Sequence, residues 1–388
     1  MRKNKQMKMK QMKLIMKIGA VRTKASRLAG LAGLLAVVVS LPAAAQNRYN
    51  VTDLGTLPGL ADSYEAQDSL NNQGHTTVFA NNAANCNAFV GDASFLWKGP
   101  GDIELLPALP GATDTVAFGL NDQDQAVGDS GAAVFSDNHG ALWERGVVHD
   151  LGTLPGDVNS DAYVINNWGV IAGDSYGPTN FSAVVWDSSR RMHQLADLPG
   201  WNWSIAGCIN DLGQIAGTGG PDANGDYAAV LWQKENAVPI YLAKLTGGAY
   251  GSPISINNRG QVVGTILPDS GQNWLPALWQ DGSLIELAVF DIDPYALAEK
   301  INNQGQIVGF SGQSGSDCIT AHPLLWENGT MIDLQTQIPA DSGWLLEQAS
   351  CINDRGQIAA FGWHNGELHA CLLTPREGWE CDDDGGQH

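Results

Sequence analysis

Hydrophobic residues along this chain fall into short runs, each cut off by Gly, Asn, Asp or Pro. One phrase organises the runs. A phrase of the form Ile-Asn-x-x-Gly-x-Ile-x-Gly recurs seven times with substitutions, read most clearly from Ile165 to Gly173 and from Ile301 to Gly309. The aligned asparagines are Asn71, Asn121, Asn166, Asn210, Asn257, Asn302 and Asn353, spaced 50, 45, 44, 47, 45 and 51 residues apart. An apolar run ending in Trp follows each copy, at Trp97, Trp143, Trp186, Trp232, Trp279 and Trp326; Leu373 stands in that place in the seventh. A Leu-rich segment comes next. Asp53-Leu54-Gly55-Thr56-Leu57-Pro58-Gly59 has an identical twin from Asp150 to Gly156, and weaker relatives lie near Leu105, Leu195, Leu242, Leu287 and Leu334.

Apolar runs bounded by turn residues predict strands, and no helical stripe of useful length appears after residue 46. Each repeat therefore reads as four strands: a ends at Ile-Asn, b is x-Ile-x-Gly, c ends at Trp and d is Leu-rich. The a–b turns combine Asn and Gly, which tolerate positive φ. A mid-forties period with four strands per unit predicts an all-β, seven-bladed β-propeller with antiparallel blades. The chain opens with an unaccompanied d strand near Tyr49–Leu54 and ends with an a–b–c set lacking d. Together these make one blade, so the N-terminal strand is expected to complete the last blade and close the ring, removing exposed sheet edges. An open solenoid of the same units is the structural alternative.

Residues 1–45 read as a secretory signal: ten basic residues and no acid, an apolar stretch from Leu28 to Leu41, then Ala43-Ala44-Ala45. Residues 46–375 are expected to form the propeller, and 376–388 an acidic tail. No second candidate membrane span follows the signal. The whole chain carries a net charge of −20, and past residue 45 there are 11 basic residues against 41 acidic ones. Such a surface repels phosphate backbones and excludes nucleic acid as a partner. The expected protein is a secreted or periplasmic monomer. Six cysteines, Cys86, Cys208, Cys318, Cys351, Cys371 and Cys381, make disulfides plausible in an exported chain. Cys351 and Cys371 share a blade and are the pair placed to meet across strands.

The repeated phrase, with strands such as His322-Pro323-Leu324-Leu325-Trp326 and His369-Ala370-Cys371-Leu372, resembles the HAF family of extracellular repeat proteins. The resemblance runs from about residue 48 to 375, although the His-Ala-Phe triplet is degraded here. It implies a bacterial, exported repeat protein and transfers no catalytic residue.

Alternating strand directions put the long b–c and d–a connections on one face, where binding is expected. The candidate binding residues are the rings these loops supply: Trp201, Trp203, Trp274, Trp344, Trp363, Tyr176 and Tyr227. Flat rings beside Asn and Asp suit a sugar polymer, because ring faces stack and hydroxyls need acceptors. The opposing expectation is that some of them pack between blades. Asp222, Asn224 and Asp226 alternate as calcium ligands do, but the Gly and Glu of a hand-type loop are missing. Gly173-Asp174-Ser175-Tyr176-Gly177 has nucleophile-elbow spacing without the helix that motif needs, and Gly128-Asp129-Ser130-Gly131 begins with the same repeat Gly, so both serines are read as repeat features. Asp129, Asp174, Asp269 and Asp341 are the acids a polysaccharide hydrolase or lyase would draw on. Among the eight histidines only His364 and His369 form even a loose metal-ligand pair. The leading expectation is a binding protein for neutral carbohydrate or an exported protein; a hydrolase or lyase and a passive surface protein are the alternatives.

Overall fold

The computed structural model describes residues 47–81, 93–131, 138–178, 180–221, 228–242, 248–268, 273–290, 292–293, 295–312 and 321–376. The predicted signal, the acidic tail from 377, Cys86, Cys318, Cys381, Asp269, Tyr227 and the calcium candidates Asp222, Asn224 and Asp226 lie outside the described residues. Among the described residues there are 28 strands and one short 3-10 turn, Leu334–Gln337. None of their helices is long and apolar enough to cross a membrane.

The first strand of each repeat ends at the Ile or Leu before the repeat Asn: β2 (Asp62–Leu70), β6 (Asp114–Leu120), β10 (Asn159–Ile165), β14 (Trp203–Ile209), β18 (Gly248–Ile256), β22 (Tyr295–Ile301) and β26 (Trp344–Ile352). Within each repeat, successive strands pair antiparallel. Hydrogen bonding gathers them into five sheets. Two of these hold eight strands because one parallel bridge joins neighbouring repeats, Asp68 opposite Gly119 in one and Phe181 opposite Trp203 in the other. The last repeat contains β27 (Ile358–His364) and β28 (Glu367–Pro375), and β1 (Tyr49–Asp53) lies antiparallel to β28, Tyr49 opposite Pro375 and Asp53 opposite Cys371.

The repeated Asn has a specific task. Asn166 Oδ1 accepts the backbone N–H groups of Trp168 and Val170 at 3.0 and 2.9 Å, which shapes the a–b turn. Its Nδ2 donates to the carbonyl of Asn210 in the next repeat at 3.1 Å. Only a side chain with both an acceptor and a donor does this, which explains Asn rather than Asp. The same donation runs from Asn71 to Asn121, to Asn166, to Asn210, to Asn257, to Asn302, to Asn353 and from Asn353 back to Asn71.

The c-strand Trp ties repeats together as well. Trp186 and Trp232 have no exposed surface. The indole N–H groups of Trp143, Trp186, Trp232 and Trp326 donate to Pro107, Leu151, Ala196 and Ala288 carbonyls at 2.8, 2.8, 2.7 and 2.6 Å. Each acceptor belongs to the connection leaving the preceding repeat, so one side chain fills the core and satisfies its buried polar atom across the seam. The b-strand Gly answers to close approach. A Cβ on Gly173 would stand 1.9 Å from the Asp161 carbonyl, where β10 bulges between Ala162 and Val164. The c–d turns after Trp279 and Trp326 also use positive φ: Asp281 and Asn328 adopt φ of 51° and 51° ahead of Gly282 and Gly329.

Cys351 and Cys371 do not pair. Cys351 is opposite Ala359 and Cys371 opposite Ala360, so β27 runs between their strands and holds them about 10 Å apart, two strand spacings. Cys208, Cys351 and Cys371 are buried free thiols. Burial pushes the Cys208 thiol up to about 12, which leaves it inert.

Candidate functional site

The two ends of the inner strands are chemically different. At the Asn end a cavity of about 120 Å³ is lined by the asparagine circuit and by the next residue of each repeat: Asn72, Asp122, Asn167, Asp211, Asn258, Asn303 and Asp354. These form a second circuit. Each backbone N–H donates to the Oδ1 of the following member at 2.7–2.9 Å, and Asp354 donates back to Asn72. The second carboxylate oxygens of Asp122, Asp211 and Asp354 accept Asn side-chain N–H groups. Lys300 of β22 forms an ion pair with Asp68 of β2 in the same cavity. The acceptors of this ring are already engaged, so it serves as a clasp.

The opposite, loop-rich end buries carboxylates beside phenols. Asp129, Asp161 and Asp174 are 5, 5 and 0 % exposed. The Tyr163 hydroxyl lies 3.3 Å from both Asp161 Oδ2 and Asp174 Oδ1, and the Tyr176 hydroxyl 3.4 Å from Asp161 Oδ1. Tyr163 is the extra residue of the β10 bulge, which turns it out of the strand's alternation. Burial first, and then the neighbouring carboxylates, push the ionisation of Tyr163 and Tyr176 well above the usual phenol range. Both therefore remain hydrogen-bond donors. Glu347, the extra residue of a bulge in β26, is pushed up to about 7 by burial. Its carboxyl is thus set to exchange a proton near neutrality.

A third grouping sits where the chain's ends pair. Asp53 closes β1, His369 lies in β28, and His364 ends β27 at a tight turn with Asn365 at φ 54°. His369 Nδ1 is 3.0 Å and His364 Nδ1 3.3 Å from Asp53 Oδ2. The other oxygen, Oδ1, accepts the Gly55 N–H at 2.8 Å. Among the described residues this is the group of His, Cys, Asp and Glu side chains able to converge on one metal ion.

The serine motifs are structural. Ser130 Oγ accepts the Leu109 N–H and Ser175 Oγ the Leu154 N–H, both at 2.9 Å, which pins the preceding connections. Of the acids beside them, Asp174 contacts the Tyr163 hydroxyl and Asp129 is buried, whereas Asp341 is exposed at a separate turn. Several predicted stacking rings are core residues. Trp203, Tyr176 and Trp344 are 6, 4 and 8 % exposed. Tyr176 stacks on Phe181 at 4.7 Å in a cluster with Trp203, and Trp344 stacks on His364. Each begins or ends a strand and its ring turns inward onto a neighbour, so none of the three is an open platform for a sugar. Trp201, Trp274 and Trp363 are half-buried; Trp201 meets Tyr241 edge-on at 5.9 Å and Trp363 packs beside Phe361 and Leu368. Sequence reading missed Asp53, Asp161 and Tyr163. The landmark order that places β1 beside β28 was the available signal for Asp53.

No family model matches this chain, and no curated protein matches it. Solved structures do. An oligogalacturonate lyase from Vibrio parahaemolyticus aligns with a TM-score of 0.51 and 9% identity, over 86% of this chain and 98% of that one. A catalytically inactive virginiamycin B lyase from Staphylococcus aureus, with quinupristin, aligns with a TM-score of 0.49 and 11% identity, over 84% of this chain and 100% of that one. TolB from Acinetobacter baumannii aligns with a TM-score of 0.40 and 12% identity, over 74% of this chain and 61% of that one. At such identities the likeness concerns the fold alone. The chain is an all-β protein with a β-propeller fold.

Proposed function

We propose that this protein is an exported, seven-bladed propeller, closed by β1, that recognises a neutral, hydroxyl-rich polymer on its loop-rich face. The contrast between the two faces carries the reading: the Asn end repeats one closed circuit of turn residues, whereas the loop-rich end gathers the Asp161 and Asp174 carboxylates around the Tyr163 hydroxyl, at a position that differs from repeat to repeat. The two side-chain circuits that return to their own starting residues support seven blades in a closed ring. The likeness to extracellular HAF repeats and the basic–apolar–Ala leader support export. A uronate polymer such as the lyase neighbour's named substrate is an anion, and a strongly acidic surface repels it. The test is retention of the purified protein on a panel of neutral polysaccharides, with and without calcium, followed by sizing of each polymer. Retention of at least one polymer at unchanged length is expected, weakened by Tyr163→Phe. Absence of retention across the panel overturns the carbohydrate reading in favour of an exported protein partner.

Two observations favour an alternative, a secreted polysaccharide hydrolase or lyase. Asp161 and Asp174 share one phenol, and burial pushes the Glu347 carboxyl up to about 7. Shortening of a polymer in the same assay selects that reading.

A further inference from the structure

We propose that Asp53, His364 and His369 form a binding site for a divalent transition metal of the zinc class. The inference stands apart from the ligand assigned to the loop-rich face. Two imidazole nitrogens and one carboxylate oxygen are the donor set of many open zinc sites. With metal–ligand bonds near 2.0–2.1 Å, tetrahedral ligand atoms stand about 3.3 Å apart. Asp53 Oδ2 is 3.0 Å from His369 Nδ1 and 3.3 Å from His364 Nδ1, so that oxygen already keeps the required separation from each nitrogen. The three ligand atoms lie within 4.8 Å of one another, which asks only a rotamer-scale closure.

Each ligand is also oriented from outside. The Gly55 N–H holds Asp53 Oδ1 and leaves Oδ2 for a metal. Trp344 lies flat against His364, with ring centres 4.5 Å apart and planes within 3°. The second nitrogen of His369 faces Glu367 Oε2 at 3.5 Å, an outer carboxylate of the kind that fixes a ligating imidazole. The side chains of Asp53, His364 and His369 are 34, 23 and 15 % exposed, so the group is reachable from solvent.

The second repeat supplies an internal control. His139 Nδ1 stands 2.9 and 3.0 Å from the two oxygens of Asp150, and Asp150 Oδ1 accepts the Gly152 N–H at 2.8 Å. His139 and His369 hold the same register position, opposite Ser130 and Gly362, each nine residues after its repeat Asn. A His–Asp pair is therefore a repeat feature. What distinguishes the last repeat is a third ligand: eleven residues after the repeat Asn the chain has His364, where the second repeat has Ala132. Mixed nitrogen and oxygen donors select zinc, copper or nickel over calcium and magnesium, which prefer all-oxygen shells.

The experiment is titration of chelator-washed protein with Zn²⁺ by calorimetry, with Co²⁺ absorption reporting coordination geometry. One equivalent of Zn²⁺ is expected per chain, and Co²⁺ should give the intense visible bands of four-coordinate metal. His364→Ala, on a surface turn, is expected to weaken Zn²⁺ binding by at least about 100-fold. Asp53→Asn should weaken it similarly, and His139→Ala should leave it unchanged. Absence of a stoichiometric event in the wild type, or binding that survives His364→Ala, overturns the proposal; survival would mark diffuse uptake by the acidic surface. Circular dichroism and melting of each variant separate loss of the site from loss of fold.

Discussion

The two faces of this protein are built from the same repeat and do opposite things with their polar groups. At the Asn end, identical chemistry in successive repeats closes on itself. Asn166 accepts two backbone N–H groups of its own turn and donates its side-chain N–H to the next repeat, and one residue later Asn167 accepts the Asp122 N–H from the preceding repeat and donates its backbone N–H to Asp211 of the next. At the loop-rich end the repeats differ, and their differences place Tyr163 between carboxylates and His364 beside Asp53. Periodicity thus favours mutual satisfaction of hydrogen bonds, whereas departures from it leave groups positioned for other chemistry. The first face fixes the fold and the second carries the candidate sites.

Substitutions on each face should separate these roles. The largest effect is expected from Gly173→Val, whose Cβ would overlap the Asp161 carbonyl; a loss of about 4 kcal/mol or more in denaturant unfolding is expected, on the scale of severe overpacking. A loss below about 1 kcal/mol would mean that the β10 bulge relaxes freely. Asn166→Asp comes next. It removes the donor to Asn210 and sets a carboxylate against a carbonyl. A destabilisation of about 2–3 kcal/mol is expected by chemical denaturation. If Asn166→Asp proves neutral, the circuit is incidental to stability and the contrast between the faces fails.

The loop-rich face should respond to pH. Glu347 titrates at about 7 in the folded protein, against 4.5 for an unperturbed Glu. Between those values the unfolded state gives up its proton first, so the folded state binds more protons and stability falls as pH rises. Glu347→Gln should flatten this slope, by at most about 2–3 kcal/mol between pH 4.5 and 7. Unfolding midpoints of variant and wild type at the two pH values measure it, and parallel slopes would remove Glu347 as the cause. The smallest effect is expected from His139→Ala. Its pair with Asp150 is exposed, at 37 and 50 %, and should contribute less than about 1 kcal/mol. A larger loss in thermal melting would show that the His–Asp pairs are structural clamps, which would weaken the distinction drawn for the last repeat.

Much of the architecture was legible because it is local. Turn residues and a Trp at fixed spacing act within a few positions, and they placed the Asn turns and the buried c-strand Trp, while the unaccompanied d strand at one end and the a–b–c set at the other placed β1 beside β28. Site residues were less legible. Loops precede or follow Trp203, Tyr176 and Trp344, which left open whether these rings face a ligand or pack between strands; each packs against a ring from another segment. The cysteine pairing failed for a related reason: sharing a repeat says nothing about which strand intervenes.

The sequence by itself determined the period, the strands, the turns that demand Asn and Gly, the acidic surface and the core role of the repeated Trp. Those properties follow from backbone conformation and burial, which each repeat specifies within its own residues. Only the tertiary structure decided that Asp53 meets His364 and His369 across separations of 311 and 316 residues, and that Tyr163 bridges Asp161 and Asp174. Such contacts depend on strand register and bulge position summed over the whole sheet arrangement, and a shift of one residue would turn each side chain to the other face.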